Sequence, residues 1–195
     1  RDGNFLVLPQ FDDAGDFSDS LALAQKDGRW SWIDRNGQNS LHTLPQFDVA
    51  YDFSDGAARV GKDFKWGFID RSGNMLIPPQ FEDAYDFSDG AAMVKEDDKW
   101  GLIDRSGNML LSPQFDFIGD FSEGVAGVKK DNKWGSIDRS GNMLFPPQFD
   151  GAVGNFSDGM AKAQKDGKWG FIDRSGNFLV LPQFSLVGDF SDGMA

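Results

Sequence analysis

The chain has 195 residues and carries 19 Lys and Arg against 31 Asp and Glu, a formal net charge of −12 at pH 7. Nucleic acid and anionic membranes bind basic surfaces, so this acidity argues against both as partners. The sequence has no cysteine and one histidine, His42, which excludes disulfides, thiolate chemistry and histidine metal clusters. No run of about 18 apolar residues predicts a membrane-spanning helix.

An internal repeat dominates the sequence. The tripeptide Pro-Gln-Phe recurs at intervals of 34 to 36 residues and ends at Phe11, Phe47, Phe81, Phe115, Phe149 and Phe184. A tryptophan follows each of the first five copies, at Trp30, Trp66, Trp100, Trp134 and Trp169. This pattern predicts a single repeat array over residues 1–195, with units 1–34, 35–70, 71–104, 105–138, 139–173 and a partial unit 174–195.

A longer period is also visible. The octapeptide Asn-Phe-Leu-Val-Leu-Pro-Gln-Phe occurs at residues 4–11 and 177–184 and nowhere else. One interpretation is a higher-order unit of about five repeats, with these residues cut from a longer array. The alternative is copying between neighbouring units. The chain shows no signal peptide and begins at Arg1, which is compatible with a leader already removed.

Each unit predicts three short strands. In the third unit, residues 91–95 alternate with a period of two, and residues 99–103 follow after a short polar turn. Other units have Asp-Gly in that turn, which predicts a type I′ hairpin with positive φ at both central residues. The tryptophan strand is apolar on both faces, so we expect it to be buried on both. The glycine after the tryptophan is expected to let a neighbouring ring or backbone approach closely.

The third strand is expected over residues 109–111 and to end at Pro113, because proline donates no ladder hydrogen bond. The Asp-Phe-Ser-Asp-Gly stretch that follows is interpreted as one helical turn capped by Ser or Asp. No segment sustains a 3.6-residue period, so the sequence predicts an all-β protein.

The residues that recur in each unit resemble the WG-repeat family, also called KWG repeats, found mainly in bacterial proteins. The resemblance rests on Pro-Gln-Phe, on Phe-Ser-[Asp/Glu]-Gly, and on Lys-Trp-Gly-x-Ile-Asp at 65–70, 99–104, 133–138 and 168–173. Unit one departs from it, with Trp30-Ser31-Trp32 and with Ser20 in place of the loop glycine. The resemblance implies a repeat scaffold without a shared set of catalytic residues, so it transfers no active site.

A unit of about 34 residues cannot bury both faces of its tryptophan strand alone, so neighbouring units must stack. We favour tandem hairpin or three-stranded units stacked as an open solenoid or superhelix. The alternative is a closed β-propeller, whose blades usually have four strands and about 40 or more residues.

Candidate chemical groups are few. One acidic row lies at a hairpin turn in every unit, and we interpret it as turn-forming carboxylates that accept from backbone N–H groups; its members are Asp34, Asp70, Asp104, Asp138 and Asp173. His42 lies in a two-residue insertion and is expected to face solvent. The sequence predicts no catalytic, cofactor-binding or metal-binding residue and hence no enzyme. Calcium is the one ion that the Asp, Asn, Ser and Gly turns would attract.

The repeated Trp and Phe rows named above are predicted to form the structural core. Two residues at variable positions are candidates for partner contacts instead. Trp32 stands where other units have Phe, Leu or Ser, and Phe64 replaces a polar or glycine residue at a hairpin tip. An exposed ring on an acidic surface is a plausible contact for a partner.

The sequence therefore predicts a non-enzymatic scaffold for protein–protein or self-association, building a filament or surface assembly through its open ends. Its partner would be another copy, the rest of a longer repeat chain or another protein, without nucleic acid or membrane insertion. The alternative function is a glycan- or calcium-binding surface module. Composition favours an extracellular or cell-surface location, although it also suits bacterial cytoplasm.

Overall fold

The computed structural model describes residues 9–17, 21–38 and 47–188, and within these ranges it contains eighteen β-strands and no helix. The strands are β1 Asp13–Ala14, β2 Ala22–Lys26, β3 Arg29–Ile33, β4 Val49–Ser54, β5 Ala57–Lys62, β6 Lys65–Asp70, β7 Met75–Phe81, β8 Asp83–Ala84, β9 Ala91–Glu96, β10 Lys99–Asp104, β11 Met109–Phe115, β12 Phe117–Ile118, β13 Val125–Lys130, β14 Lys133–Asp138, β15 Met143–Phe149, β16 Met160–Lys165, β17 Lys168–Asp173 and β18 Phe178–Phe184. The prediction of an all-β protein built from tandem repeats is confirmed.

The strands form five small sheets, and none of them closes into a barrel within the described residues. In chain order the sheets are β1-β2-β3, β4-β5-β6-β7, β8-β9-β10-β11, β12-β13-β14-β15 and β16-β17-β18. Antiparallel pairing joins β1 to β2 and β2 to β3, the successive strands from β4 to β7, β8 to β9, and the successive strands from β12 to β15 and from β16 to β18. The chain divides into two compact units, residues 1–95 with 103–108, and residues 96–102 with 109–195. The choice between an open array and a closed propeller stays a prediction.

The hairpin at the centre of each sheet forms as predicted. In the second sheet Lys62 and Lys65 are register partners, so the turn consists of Asp63 and Phe64 alone. Their φ angles are 51° and 60°, the left-handed values that a type I′ turn requires. The central residues of the other hairpins have the same sign of φ, from Asp27 and Gly28 to Asp166 and Gly167.

The third strand does not end at the proline, which corrects the prediction. β7 and its equivalents continue through the prolines to the phenylalanine of Pro-Gln-Phe. In the ladder, Trp66 faces Phe81 and Phe68 faces Ile77, so residue 67 stands against residues 78–80 and the strand bulges. Proline is tolerated here because it lies in a bulge of an edge strand, where the missing N–H costs no ladder bond.

The bulge explains the glycine of the Trp-Gly pair. A Cβ on Gly67 would lie 2.4 Å from the carbonyl oxygen of Ile77 and 2.6 Å from the nitrogen of Pro79. Real Cβ atoms do not approach backbone atoms this closely, so only glycine fits. The predicted close approach is confirmed, and the neighbour is the backbone of the third strand.

The Asp-Phe-Ser-Asp-Gly stretch is a tight turn and not a helical turn, which corrects a second prediction. Ser88 and Ala91 form an antiparallel bridge, and the N–H of Ser88 donates to the carbonyl of Ala91 at 2.9 Å. Between them Asp89 and Gly90 have φ of 50° and 85°. Both residues are left-handed, which favours a second two-residue hairpin turn over a right-handed helical one.

A fourth strand was missed by the sequence prediction. β1, β4, β8 and β12 add an outer strand to four of the sheets, and each pairs with the strand that follows it. Three of these strands have only two residues. Strands this short carry no readable alternation, so the sequence pattern does not reveal them.

Within each compact unit, the core lies between consecutive sheets. In the first compact unit, one buried cluster joins sheets two and three through Phe68, Ile77, Phe81, Ala92, Val94 and Ile103. In the second unit, an equivalent cluster joins sheets four and five through Phe145, Phe149, Val153, Ala161, Ala163 and Ile172. The strand that carries the tryptophan is buried on both faces, as predicted: Gly67, Phe68 and Ile69 are all buried. Stacking of neighbouring repeats therefore supplies the core that a single repeat lacks.

Candidate interaction surface

The predicted core rows divide by depth. Four members of the Phe row are buried, Phe47, Phe81, Phe115 and Phe149, whereas Phe11 is half-buried and Phe184 is 41% exposed. The five tryptophans of the Trp row are all half-buried, and Trp30, Trp66 and Trp134 pack against the core clusters from one side. A half-buried Trp row supports the core and still presents ring surface outside it.

The structure corrects the prediction that Trp32 contacts a partner. Its side chain is 1% exposed and lies in the cluster between sheets one and two. The ring packs on Phe53 with centroids 5.4 Å apart. The physical reason is strand geometry: the residue two after the row tryptophan points to the face that the next sheet covers. The variable position thus tunes packing between sheets.

The acidic row behaves as turn-forming carboxylates, as predicted. Asp104 accepts from the backbone N–H groups of Ser106 at 2.8 Å and Asn108 at 2.9 Å, and from the side-chain amide of Asn108 at 3.0 Å. The amide and then the N–H of Asn108 hold the pKa of Asp104 below its ordinary value. The same backbone bonds recur at Asp34, Asp70, Asp138 and Asp173.

Phe64 is the predicted contact that lies at the surface. It occupies the second position of the β5–β6 turn and is 99% exposed. The equivalent residues of the other hairpins are Gly28, Asp98, Asn132 and Gly167. These residues suit a left-handed turn position, whereas a bulky aromatic there is rare. Unit two alone places a ring at its tip, although whether a partner contacts that ring stays a prediction.

Beside this tip, unit two also differs in having a glycine opposite its row tryptophan. Gly61 faces Trp66 across the hairpin, where the other units have Gln25, Lys95, Lys129 and Gln164. A Cβ at Gly61 would lie 3.2 Å from Cζ3 of the Trp66 indole. The absence of a side chain leaves the indole unshielded by its cross-strand neighbour. Comparison of the repeats shows that only unit two has a glycine at this position. The strand register adds that this glycine lies opposite Trp66.

An arginine holds the neighbouring aromatic rings in place. Cζ of Arg59 lies 4.0 Å from the Tyr51 ring centre and 4.9 Å from that of Trp66, and the two rings are 5.7 Å apart. The guanidinium also donates to the carbonyl of Ala84, and its Nε lies 3.2 Å from the Asp86 carboxylate. Cation–π and ionic contacts from one largely buried side chain fix the geometry of this surface.

Together these residues border a shallow cleft with a volume of about 450 Å³. It is lined by Asp48, Val49, Gly61, Lys62, Phe64, Lys65, Trp66 and Glu82. We call this set, with Tyr51 and Arg59, the tip cleft. It combines three aromatic rings with two lysines, one arginine and two carboxylates, a mixture typical of recognition sites with an apolar floor and a polar rim.

A second cleft lies at the corresponding hairpin of the last sheet. Its volume is about 390 Å³, and it is lined by Lys165, Asp166, Lys168, Phe178, Leu181 and Pro182. The tip residue here is Gly167, and Gln164 stands opposite Trp169. This cleft therefore has no ring at its tip, and Trp169 is not among the residues that line it.

Among the described residues, no group of three or more His, Asp or Glu side chains is arranged to hold a metal ion. No helix in the described ranges is long and apolar enough to cross a membrane. His42 lies outside the described residues.

The fold and its repeating turns define an all-β tandem-repeat protein. The model of the WG containing repeat matches residues 1–30, 30–65, 66–100, 100–134, 134–169 and 169–195. The chain belongs to the WG-repeat family, which confirms the resemblance seen in the sequence. A search of curated proteins found no match.

Several solved structures are similar to this chain at low sequence identity. Hsv2p of Kluyveromyces lactis is 10% identical with a TM-score of 0.44, over 86% of this chain and 61% of that one. The N-terminal domain of Nup159 is 13% identical with a TM-score of 0.43, over 84% of this chain and 58% of that one. The Pan2 WD40 domain of Neurospora crassa is 13% identical with a TM-score of 0.35, over 86% and 64%. This chain spans about three fifths of these structures, and no function is transferred from them.

Proposed function

We propose that the chain is a non-enzymatic β-repeat scaffold that binds protein partners through the tip cleft. The observation that carries this proposal is Phe64, a ring 99% exposed on a hairpin tip where every other unit has a polar or glycine residue. An exposed ring adds nothing to the fold and invites association. Residues shared by all units build the scaffold, and residues peculiar to one unit give it specificity.

The composition of the tip cleft favours a protein partner. Trp, Tyr and Arg are the residues that most often dominate protein interfaces, and Trp66, Tyr51 and Arg59 lie together here. Arg59 is held by contacts to Ala84 and Asp86, so the rings are ordered before a partner arrives. A surface that is ordered in advance loses less entropy on binding.

The absence of catalysis belongs to the proposal. The acidic residues that recur in every unit are engaged in turns, as the bonds of Asp104 show. A hydrolytic pair of carboxylates differs from its surroundings in environment and pKa. In this row the five carboxylates share one environment, and the pKa of each is lowered.

The test is selection of binding peptides from a displayed library on the immobilised chain, in parallel with the variant Phe64→Asn. Asn132 occupies the equivalent tip, so Asn at position 64 preserves the turn and removes only the ring. We expect peptides that bind the wild type and lose at least about tenfold in affinity for the variant. A control variant, Asn132→Asp, should bind them unchanged. Peptides that bind the wild type and Phe64→Asn equally would count against the tip cleft. A selection that enriches no peptide would also count against it.

A second function, glycan binding, is favoured by one observation. The Trp66 indole lies in a cleft beside the carboxylates of Asp48 and Glu82, and sugar rings stack on aromatic faces while acids accept from their hydroxyls. Titration of tryptophan fluorescence with neutral and acidic oligosaccharides tests it. Saturable quenching that Gly61→Gln abolishes would support this function, and no quenching with any oligosaccharide would exclude it for those sugars.

The extracellular or cell-surface location and the loose attraction of calcium stay proposals that rest on composition. Fractionation of source cells with an antibody to the chain tests the location. Calorimetric titration with calcium, in low and in high salt, tests for a specific site. Binding that persists in high salt would exceed the general attraction of a chain with a net charge of −12.

A further inference from the structure

The charge of the tip cleft differs from that of the chain as a whole. The chain carries a net charge of −12, so most of its surface repels a second copy. The tip cleft and the turn beside it carry three basic residues, Arg59, Lys62 and Lys65, and three carboxylates, Asp48, Asp63 and Glu82, so their formal charges sum to zero. This patch is therefore a place where two copies of an acidic chain meet without net repulsion.

Equal numbers of opposite charges have a further consequence. In a twofold interface the same surface of each copy forms the contact. If one residue contacts a second residue of the other copy, the reverse contact also exists. A patch of one sign would be repelled by itself, whereas two lysines and two carboxylates can be placed opposite one another. The tip cleft has the charge composition that pairing with a second copy requires.

The same surface offers both a projecting group and a recess. The Phe64 ring is 99% exposed, and the cleft beside it is about 450 Å³, within the range of about 300 to 1,000 Å³ that holds small ligands. Trp66 lines that recess, and Gly61 opposite it carries no side chain that could cover the indole. Phe64 also sits at φ 60°, which a bulky residue disfavours, so neither the turn nor the core explains its presence.

We propose that the tip cleft is a self-pairing surface, in which two copies of the chain associate about a twofold axis and the Phe64 ring of each enters the cleft of the other. The ring then packs against Trp66 of the second copy, and the lysines of one copy face the carboxylates of the other. Because an isologous contact closes at two copies, it yields a dimer and not a filament. This inference deepens the proposed function and rests on the same surface.

The test is the mass of the intact chain by sedimentation and light scattering from micromolar to near-millimolar protein. We expect a reversible dimer whose fraction rises with protein concentration. Phe64→Asn should raise the dissociation constant by about 30-fold or more, the loss expected for a central aromatic anchor. Gly61→Gln should do the same, because it places at that site the residue that units one and five carry opposite their tryptophans.

A transplanted ring separates this pairing from nonspecific stickiness. Asn132→Phe in the Phe64→Asn background puts the ring on the tip of another unit, where Lys129 stands opposite Trp134. That variant should not form the twofold dimer, because its ring no longer lies beside the tip cleft and the two copies cannot exchange rings reciprocally. Far-ultraviolet dichroism and the unfolding midpoint of each variant show whether it is folded.

Three outcomes would overturn the pairing: a wild-type chain that stays monomeric, a dimer indifferent to both single variants, or growth into filaments. A monomeric chain whose selected peptides still need Phe64 would overturn self-pairing and leave the proposed partner binding in place. Peptides and mass that are both indifferent to Phe64 would overturn both proposals.

Discussion

Ser136 and Phe145 are register partners on β14 and β15, and both are buried, with exposures of 0% and 2%. In the second sheet the same two positions hold Phe68 and Ile77. In the fourth sheet the small Ser136 on the tryptophan strand therefore faces the large Phe145, whereas in the second sheet the large Phe68 faces the smaller Ile77. The larger side chain of each pair thus lies on a different strand.

This pairing predicts coupled mutations. Ser136→Phe alone should destabilise the chain by about 1–3 kcal/mol through overpacking against Phe145. Combining it with Phe145→Ile recreates the pair of the second sheet and should recover part of the loss, with a coupling energy of about 0.5–3 kcal/mol. Urea unfolding of the two single variants and the double variant measures the coupling. Strict additivity would show that the two side chains are independent.

The glycine after the tryptophan predicts a large and specific loss. A Cβ on Gly135 would lie 2.6 Å from the nitrogen of Pro147 and 2.8 Å from the carbonyl oxygen of Phe145. Because backbone atoms block the site, Gly135→Ala should cost more than about 3 kcal/mol, at the upper end for single substitutions. The matched control is Gly127→Ala in the adjacent strand, where the nearest atom would be 3.5 Å away. If thermal unfolding shifted equally in both variants, the steric explanation would fail.

The free energy of unfolding should fall at acid pH, because carboxylates that accept hydrogen bonds or pair with lysine in the folded state become protonated. The amide of Asn108 lowers the pKa of Asp104, and the ammonium of Lys99 lowers that of Asp116. A carboxyl whose folded pKa lies below its ordinary value of 3.8 stabilises the fold fully above that value. This contribution is lost as the pH falls from there through the folded pKa.

The measurement is the urea midpoint from neutral pH down to about pH 3. The wild-type midpoint should decline on acidification, and Asp104→Asn should decline less because the titrating group is gone. Equal slopes in the wild type and the variant would contradict the assignment.

X-ray scattering of the intact chain distinguishes the predicted open array from a closed propeller. An open array of repeats should scatter X-rays as an elongated body, because each unit contacts only its neighbours. A scattering profile that fits a compact disc would instead establish a closed propeller. The Phe64→Asn variant keeps dimers from obscuring the profile of a single chain.

Local features of this chain follow from sequence because neighbouring residues cause them. The Asp-Gly pair at 27–28 predicts a type I′ turn, and Asp104 predicts its own hydrogen bonds within four residues. The repeat fixes how often such features recur. The same locality explains one error: Asp-Phe-Ser-Asp-Gly contains capping residues as well as turn residues, and Asp89-Gly90 formed the turn.

Other features depend on residues distant in sequence, and only the tertiary structure decided them. The third strand runs past its prolines because the bulge opposite Gly67 leaves their nitrogens outside the ladder. Trp32 is buried because the following sheet covers it, and Phe47 and Phe53 join it in that core. The sequence by itself determined the repeats, the hairpin turns and the unusual residues Gly61 and Phe64. Strand register and sheet stacking, which arise from long-range packing, decided which rings are covered and placed those two residues at one cleft.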